Sequence, residues 1–252
     1  RKVLEPCSGK GGFVVDIVDR FMDGLKDTIP DEKERYRVIV EECLYFSDIN
    51  PTNIFICKLL LDPADEYRLN YHEGNTLELD IRETWGIDGF DAVIGNPPYN
   101  DSSGNKGKGH TLWTKFIETS LGEWMSEGGY LLYVTPSLWR QADHPMQTVM
   151  KQYQIEYLEI HNEADGVKTF NCNTRYDWYL IHKSPYSKST EIKTQTGQVV
   201  FKDLRTMNFI PNYNYDLIDT LIGGEAVNLI ESRSAYGHDK KWVQKTQDGE
   251  FK

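Results

Sequence analysis

Residues 90–101 read FDAVIGNPPYND, an apolar run that stops in Asn-Pro-Pro-Tyr. Proline locks its own φ, lacks an N–H and restricts the residue before it, so residues 96–99 form a stiff, non-helical turn. Asn96 carries a side-chain carbonyl and Pro97 contributes a backbone carbonyl. Together they can accept both hydrogens of one –NH₂ group. Pro98 holds the spacing, and Tyr99 offers a ring face for stacking. Singly, these residues also suit a strand stop followed by a packed surface aromatic. In combination they suit the capture of a planar amino group.

Two further stretches could hold a small ligand. In LEPCSGKGGF, residues 4–13, Gly9, Gly11 and Gly12 let the backbone approach a ligand at a helix N-terminus. A tight turn without a ligand is the alternative reading of such a stretch. Glu5 would lie where a dinucleotide places its phosphates, and a carboxylate there suits a cationic ligand better. Asp48, in YFSDINP, either accepts both ribose hydroxyls of a nucleotide or caps the next turn. It lies further from the glycine turn than the ~20 residues usual in dinucleotide folds. Residues 27–37 must then be an inserted loop, which a surface tolerates cheaply.

The elements that must position these groups alternate. Residues 2–4 read as a strand. GGFVVDIVDRFMDGL follows with Phe13, Val14, Ile17, Val18, Phe21, Met22 and Leu25 at helical spacing. CLYFSDI reads as a second strand, and Asn50-Pro51 starts the helix of TNIFICKLLL with a cap and a proline. Strands follow at 68–72 and 90–94. HTLWTKFIETSLGEWM places Trp113, Phe116, Ile117, Leu121, Trp124 and Met125 on one helical face. GGYLLYVTPSLW, residues 153–160 and residues 176–182 supply further strands. This order predicts a doubly wound α/β sheet with its ligand crevice at the carboxyl ends of the strands. After Asp203 the pattern weakens to a linker, one short helix in FIPNYNYDLIDTLIGG, and a polar tail.

Composition sets the limits. With 252 residues, 39% apolar and 12% aromatic, the chain can fill a sizeable core. No apolar run approaches the roughly 20 residues of a membrane span, and the start shows no signal-peptide pattern. Cys7, Cys43, Cys57 and Cys172 have no ligand or framework spacing, which predicts reduced thiols, a cytoplasmic setting and no metal. The net charge of −11 disfavours nonspecific attraction to a polyanion, so any nucleic-acid contact must be local or lie elsewhere. The opening RKVLEPCSGKGG, without Met and already at a strand, reads as an excised fragment.

In order and spacing the motifs resemble the class I S-adenosylmethionine-dependent amino-methyltransferases, above all the N6-adenine DNA methyltransferases of restriction-modification systems. The resemblance rests on E-P-x-x-G-x-G-x-F at residues 5–13, the acidic Asp48, GNTL at 74–77 and N-P-P-Y at 96–99. The later stretches HTLWTKFIE, GGYLLYVTPSLW and TFNCNTRYDWYLIHK extend it to Lys183. It implies a Rossmann-like mixed sheet of seven strands ending in an antiparallel hairpin. The implied cofactor is S-adenosylmethionine, with no metal, held by Glu5, Pro6, Gly9, Gly11, Phe13, Asp48, Ile49, Asn75, Thr76 and Asn96. Asn75 stands where an Asp often accepts from the cofactor's adenine amino group, and an amide carbonyl can do the same without charge.

The implied catalytic residues are Asn96, Pro97, Pro98 and Tyr99. N6 of adenine is a poor nucleophile because its lone pair is delocalised into the ring. Acceptors at Asn96 and Pro97 would hold the amino group for direct in-line transfer, with no Cys nucleophile. The base must be flipped out, with Tyr99 on one face and Phe170 the candidate for the other, unless Phe170 only packs beneath the next strand. Lys106 and Lys108, in NDSSGNKGKGH, are placed either to contact phosphates or in an ordinary surface loop. His144 and His161 read as structural.

The expected division is a catalytic domain over residues 1–203, then a linker and the start of a target-recognition region over 204–252. The expected partners are double-stranded DNA and a restriction or specificity subunit or domain, in a bacterial, archaeal or phage setting. Two alternatives stay open: methylation of another planar nitrogen, such as a release-factor glutamine amide or an RNA base, and a binding module that keeps the fold.

Overall fold

The computed structural model describes residues 1–100 and 111–222. It divides into two compact units, Arg1–Tyr213 and Asn214–Lys252. The first begins with β1 (Val3–Glu5), α1 (Gly12–Gly24), α2 (Glu32–Val38), β2 (Leu44–Asp48), α3 (Pro51–Leu61), β3 (Asn70–Glu73), α4 (Ile81–Trp85) and β4 (Phe90–Gly95). It continues with α5 (Trp113–Thr119), β5 (Met125–Pro136), α6 (Pro145–Met150), β6 (Gln154–Ile160), α7 (Glu163–Phe170), β7 (Tyr176–His182), β8 (Thr190–Lys193) and β9 (Val199–Lys202). In the second unit, α8 (Tyr215–Ile222) opens with the Ile218 N–H donating to the Asn214 carbonyl.

One mixed sheet runs β3-β2-β1-β4-β5-β7-β6-β8-β9. β1 pairs in parallel with both β2 and β4, and β7 is antiparallel to β5 and β6. The chain therefore reverses its winding between β1 and β4, the place where doubly wound folds open a ligand crevice. The expected sheet of seven strands with a last antiparallel hairpin is present, and β8 and β9 extend it to nine. Each is four residues long; β9 is the edge strand, alternating exposed and half-buried, and β8, between β6 and β9, buries only Thr190 and Ile192, so neither carries a long apolar run.

Local chemistry explains most boundaries. The inner face of α1, Val14, Ile17 and Val18, packs on Val3, Phe46, Ile54 and Leu61, each burial worth about 1.5–3 kcal/mol. Phe13 belongs to the same apolar series but is 38% exposed. The α3 start is as expected: the Asn50 side chain accepts from Thr52 N at 3.0 Å and Pro51 occupies the first turn. All six apolar residues assigned to the face around α5 are buried. Residues 27–31 form the expected loop, but residues 32–37 are helical instead. Asp31 caps α2 by accepting from Glu34 N at 2.7 Å, and Arg37 bonds Glu34 and Glu41 one turn to either side. This cap and these pairs make a helix from a stretch with no apolar stripe.

The stretch after Asp203, expected to be a linker, packs on the first unit through Leu204 and Ile210. Buried Arg140 holds it by donating to the Ile210 carbonyl at 2.8 Å and Asn212 Oδ1 at 2.9 Å, while its Nε donates to Asp177 at 2.7 Å. No helix among the described residues is long and apolar enough to cross a membrane.

Candidate active site

Three strand ends meet at the switch point. β1 ends in Glu5 and leads into the glycine turn. Gly9 and Gly11 have φ of +52° and +87°, which L side chains rarely adopt. At Gly11 a Cβ would also lie 3.0 Å from Leu60 Cδ1, so glycine there lets α1 start close against α3. Glu5 is fully buried, Oε1 accepts from Cys7 N at 3.0 Å, and Oε2 has no partner. Burial, and to a smaller extent the charge of Asp48, pushes its carboxyl up to about 8.

Asp48 ends β2 and ties the surrounding turns together. Oδ2 accepts from Gly9 N at 2.8 Å, and Oδ1 accepts from Asn50 N at 2.8 Å and Asn53 Nδ2 at 3.1 Å. A carboxylate has about four acceptor positions, so one remains. The turn-capping reading of Asp48 is what these bonds show, and they leave one acceptor position where the ribose reading asks for two hydroxyls. After β3, Asn75 Oδ1 accepts from Leu77 N at 3.3 Å and Nδ2 donates to Glu78 at 2.7 Å.

β4 ends in Gly95, followed by the Asn-Pro-Pro-Tyr turn. A Cβ on Gly95 would lie 2.7 Å from Glu5 Oε1, so the buried carboxylate lies directly over this glycine. Pro97 is buried and Pro98 exposed. Asn96 Oδ1 and the Tyr99 hydroxyl are both buried without a partner. Burial pushes the Tyr99 phenol up, with nearby Cys172, Tyr176 and Asp177 adding to it.

A pocket of about 490 Å³ opens at these ends. Its walls are Pro6 and Cys7, Asp48 and Ile49, Asn75 to Leu77, and Pro98, Asn100, Leu112, Lys115 and Phe116. It gathers Pro6, Asp48, Ile49, Asn75, Thr76 and Pro98 of the sequence-assigned residues, whereas Glu5, Asn96, Pro97, Tyr99 and Phe170 are not among its walls and Gly9 and Gly11 form the turn after β1. Phe13 is not among its walls. Cys7, Leu112, Lys115 and Phe116 carry no site signal in the sequence, because only the return of α5 toward β4 brings most of them here. A hollow of about 580 Å³ at Lys2, Tyr45 and Trp85 has neither a glycine turn nor an orphaned acceptor.

Phe170 ends α7 half-buried, its edge on Tyr176 at 4.9 Å between centroids. Tyr176 also stacks on His161 at 4.4 Å, which accounts for that histidine as a packing residue. His144 caps α6 by accepting from Met146 N at 3.2 Å and stacks on Trp113. Lys106 and Lys108 lie outside the described residues, as does the polar tail. Among the described residues no group of three or more His, Cys, Asp or Glu could hold a metal ion.

Strand order, switch point and glycine turn together define a class I S-adenosylmethionine-dependent methyltransferase fold. The sequence profile of the Eco57I restriction-modification methylase family matches residues 42–167, half of the chain. The chain belongs to that family. Among solved structures it is similar to the M protein of the type I restriction enzyme EcoKI, at 12% identity and a TM-score of 0.59 over 76% of this chain and 43% of that one. A modification subunit of a putative type I restriction enzyme from Vibrio vulnificus YJ016 is similar at 17% identity and a TM-score of 0.56, over 90% of this chain and 49% of that one. A putative class I S-adenosylmethionine-dependent methyltransferase from Listeria monocytogenes is similar at 14% and 0.53, over 76% and 57%. At these identities the likeness is one of fold, and the chain spans about half the length of each. No curated protein sequence matches it.

Proposed function

We propose that this chain methylates N6 of a flipped-out adenine at a specific site in double-stranded DNA, as the modification part of a restriction-modification system. The observation that carries the reading is Asn96 Oδ1, buried and unpartnered two residues before Pro98, which walls the pocket. Buried polar atoms are almost always satisfied, so this orphaned acceptor, at a strand end beside the pocket, supports a ligand donor there.

The pocket's residues fit S-adenosylmethionine. Its volume lies within the roughly 300–1,000 Å³ of small-molecule sites. Glu5 keeps a fully buried oxygen without a partner, suited to a cation. Asp48 has one acceptor position left for a ribose hydroxyl, and the Asn75 carbonyl keeps one lone pair for an adenine amino group. When bound, S-adenosylmethionine supplies a methyl group made electrophilic by its sulfonium cation.

The chain's own residues do the rest. Asn96 Oδ1 and the Pro97 carbonyl accept the two amino hydrogens of the target base, which turns the nitrogen lone pair out of the ring toward the methyl group. Tyr99 stacks on the extruded base, with Phe170 the candidate for its other face. Lys106 and Lys108 contact phosphates beside it. The region after the catalytic part begins target recognition, and a restriction or specificity subunit completes the assembly.

Incubating the full-length protein with tritiated cofactor and DNA, RNA or release factor, followed by nucleoside analysis, tests this. The expected product is N6-methyladenine in DNA. Label in a glutamine amide or an RNA base moves the reading to another planar nitrogen, and no label with no cofactor binding leaves a binding module.

A further inference from the structure

Behind the pocket runs a chain of hydrogen bonds of which only the last hydroxyl belongs to its walls. Ser47 of β2 and His72 of β3 are register partners. Ser47 Oγ lies 3.1 Å from His72 Nδ1 and 2.7 Å from Thr76 Oγ1, and the Thr76 hydroxyl donates to the Pro6 carbonyl at 2.8 Å. Ser47 is fully buried and Thr76 is 4% exposed, so water offers neither hydroxyl an alternative.

The proton count fixes the direction. A carbonyl only accepts, so the single hydroxyl proton of Thr76 goes to Pro6. Thr76 Oγ1 then accepts from Ser47, and this uses the only proton Ser47 has. Ser47 Oγ is left as an acceptor toward His72, whose Nδ1 must therefore carry a proton. Burial moves the His72 ring below its ordinary range, so near neutral pH it is the neutral Nδ1–H form. The same ring packs over the turn after β3, since a Cβ on Gly74 would lie 2.9 Å from His72 Cε1.

We propose that His72 is a positioning residue of the cofactor site. By ordering this one-way chain it sets the spacing between the wall at Pro6 and Cys7 and the wall at Asn75, Thr76 and Leu77. The role rests on the methyltransferase reading for its ligand, whereas the chain itself does not.

Two measurements on the full-length protein separate those dependences. Imidazole nitrogen NMR of the ligand-free protein at neutral pH is expected to show His72 protonated at Nδ1 and bare at Nε2, and the opposite tautomer overturns the chain. In methyl-transfer assays, His72→Leu is expected to raise KM for S-adenosylmethionine about tenfold, one hydrogen bond's worth, with kcat within about twofold. His72→Asn, whose amide can replace the Nδ1 donor, restores KM. Ser47→Ala breaks the middle of the chain with a smaller change in volume and is expected to match His72→Leu. An unchanged KM in both His72→Leu and Ser47→Ala overturns the positioning role. Failure of the wild-type protein to bind S-adenosylmethionine overturns the methyltransferase reading and the role with it, while the NMR result still decides the chain.

Discussion

The two halves of the candidate site handle their polar groups differently. On the side proposed for the cofactor, at the ends of β1 to β3, most acceptors are engaged within the chain: Asp48 takes three donors, and Thr76 and Ser47 pass theirs along to Pro6. On the side proposed for the target base, at the end of β4, Asn96 Oδ1 and the Tyr99 hydroxyl are buried with no partner. The first arrangement rigidifies a pocket, and the second holds binding capacity in reserve at a cost of about 1–3 kcal/mol for each unsatisfied group. Glu5 Oε2 and Ser8 Oγ are exceptions on the first side. The Glu5 carboxylate lies against Gly95 through Oε1, the oxygen that accepts from Cys7 N, and there the two halves touch.

If that contrast is right, substitutions on the two sides should separate rate from binding. Asn96→Ala is expected to lower methyl transfer by on the order of 10²–10³-fold, as loss of a preorganised group at a reacting centre does, while cofactor affinity and melting temperature hold. Single-turnover rates set beside calorimetric titration check this, and a parallel loss of affinity would erase the distinction. Asp48→Ala should do the reverse. It leaves three donors without their acceptor, so it should cost about 2–3 kcal/mol in denaturant unfolding and weaken cofactor binding more than turnover.

Glu5 sharpens the comparison through pH. Its carboxyl stays protonated in the folded chain up to about 8, against an ordinary 4.5. Folding therefore takes up a proton between these values, so this group's contribution to stability falls as pH rises from 4.5 to 8 and then levels. A cationic ligand pairs with the ionised form, so binding at pH 7 should release close to one proton. Titrations in buffers of different ionisation enthalpy measure that release, and Glu5→Gln should abolish it and flatten the pH dependence of stability by this group's share. The smallest effect is expected at Phe170. Phe170→Leu should weaken base stacking by about 1 kcal/mol, seen as a rise in KM for DNA. A change in melting temperature alone would leave Phe170 as packing against Tyr176.

Several features were legible in the amino-acid order because they rest on short-range rules. Proline's locked φ makes the turn after β4, glycine's positive φ makes the turn after β1, and an Asn-Pro cap starts α3. Periodicity then puts Glu5, Asp48 and Asn96 at strand ends. Residues 32–37 were misread although their signal is equally local, because charged side chains hide a helix that has a cap and ion pairs but no apolar stripe. The strands β8 and β9 leave little trace in the sequence because each is four residues long and together they bury only Thr190 and Ile192.

Tertiary structure alone decided the rest. Gly95 must be glycine because Glu5, ninety residues earlier, fills the space of its Cβ. His72 acquires a role only once β2 and β3 pair and bring Ser47 within reach of Thr76. Arg140 anchors residues 210–212 some seventy positions away. Local propensity acts over a few residues along the chain, whereas the space a side chain may fill and the partner its proton finds depend on which distant segments the sheet places side by side.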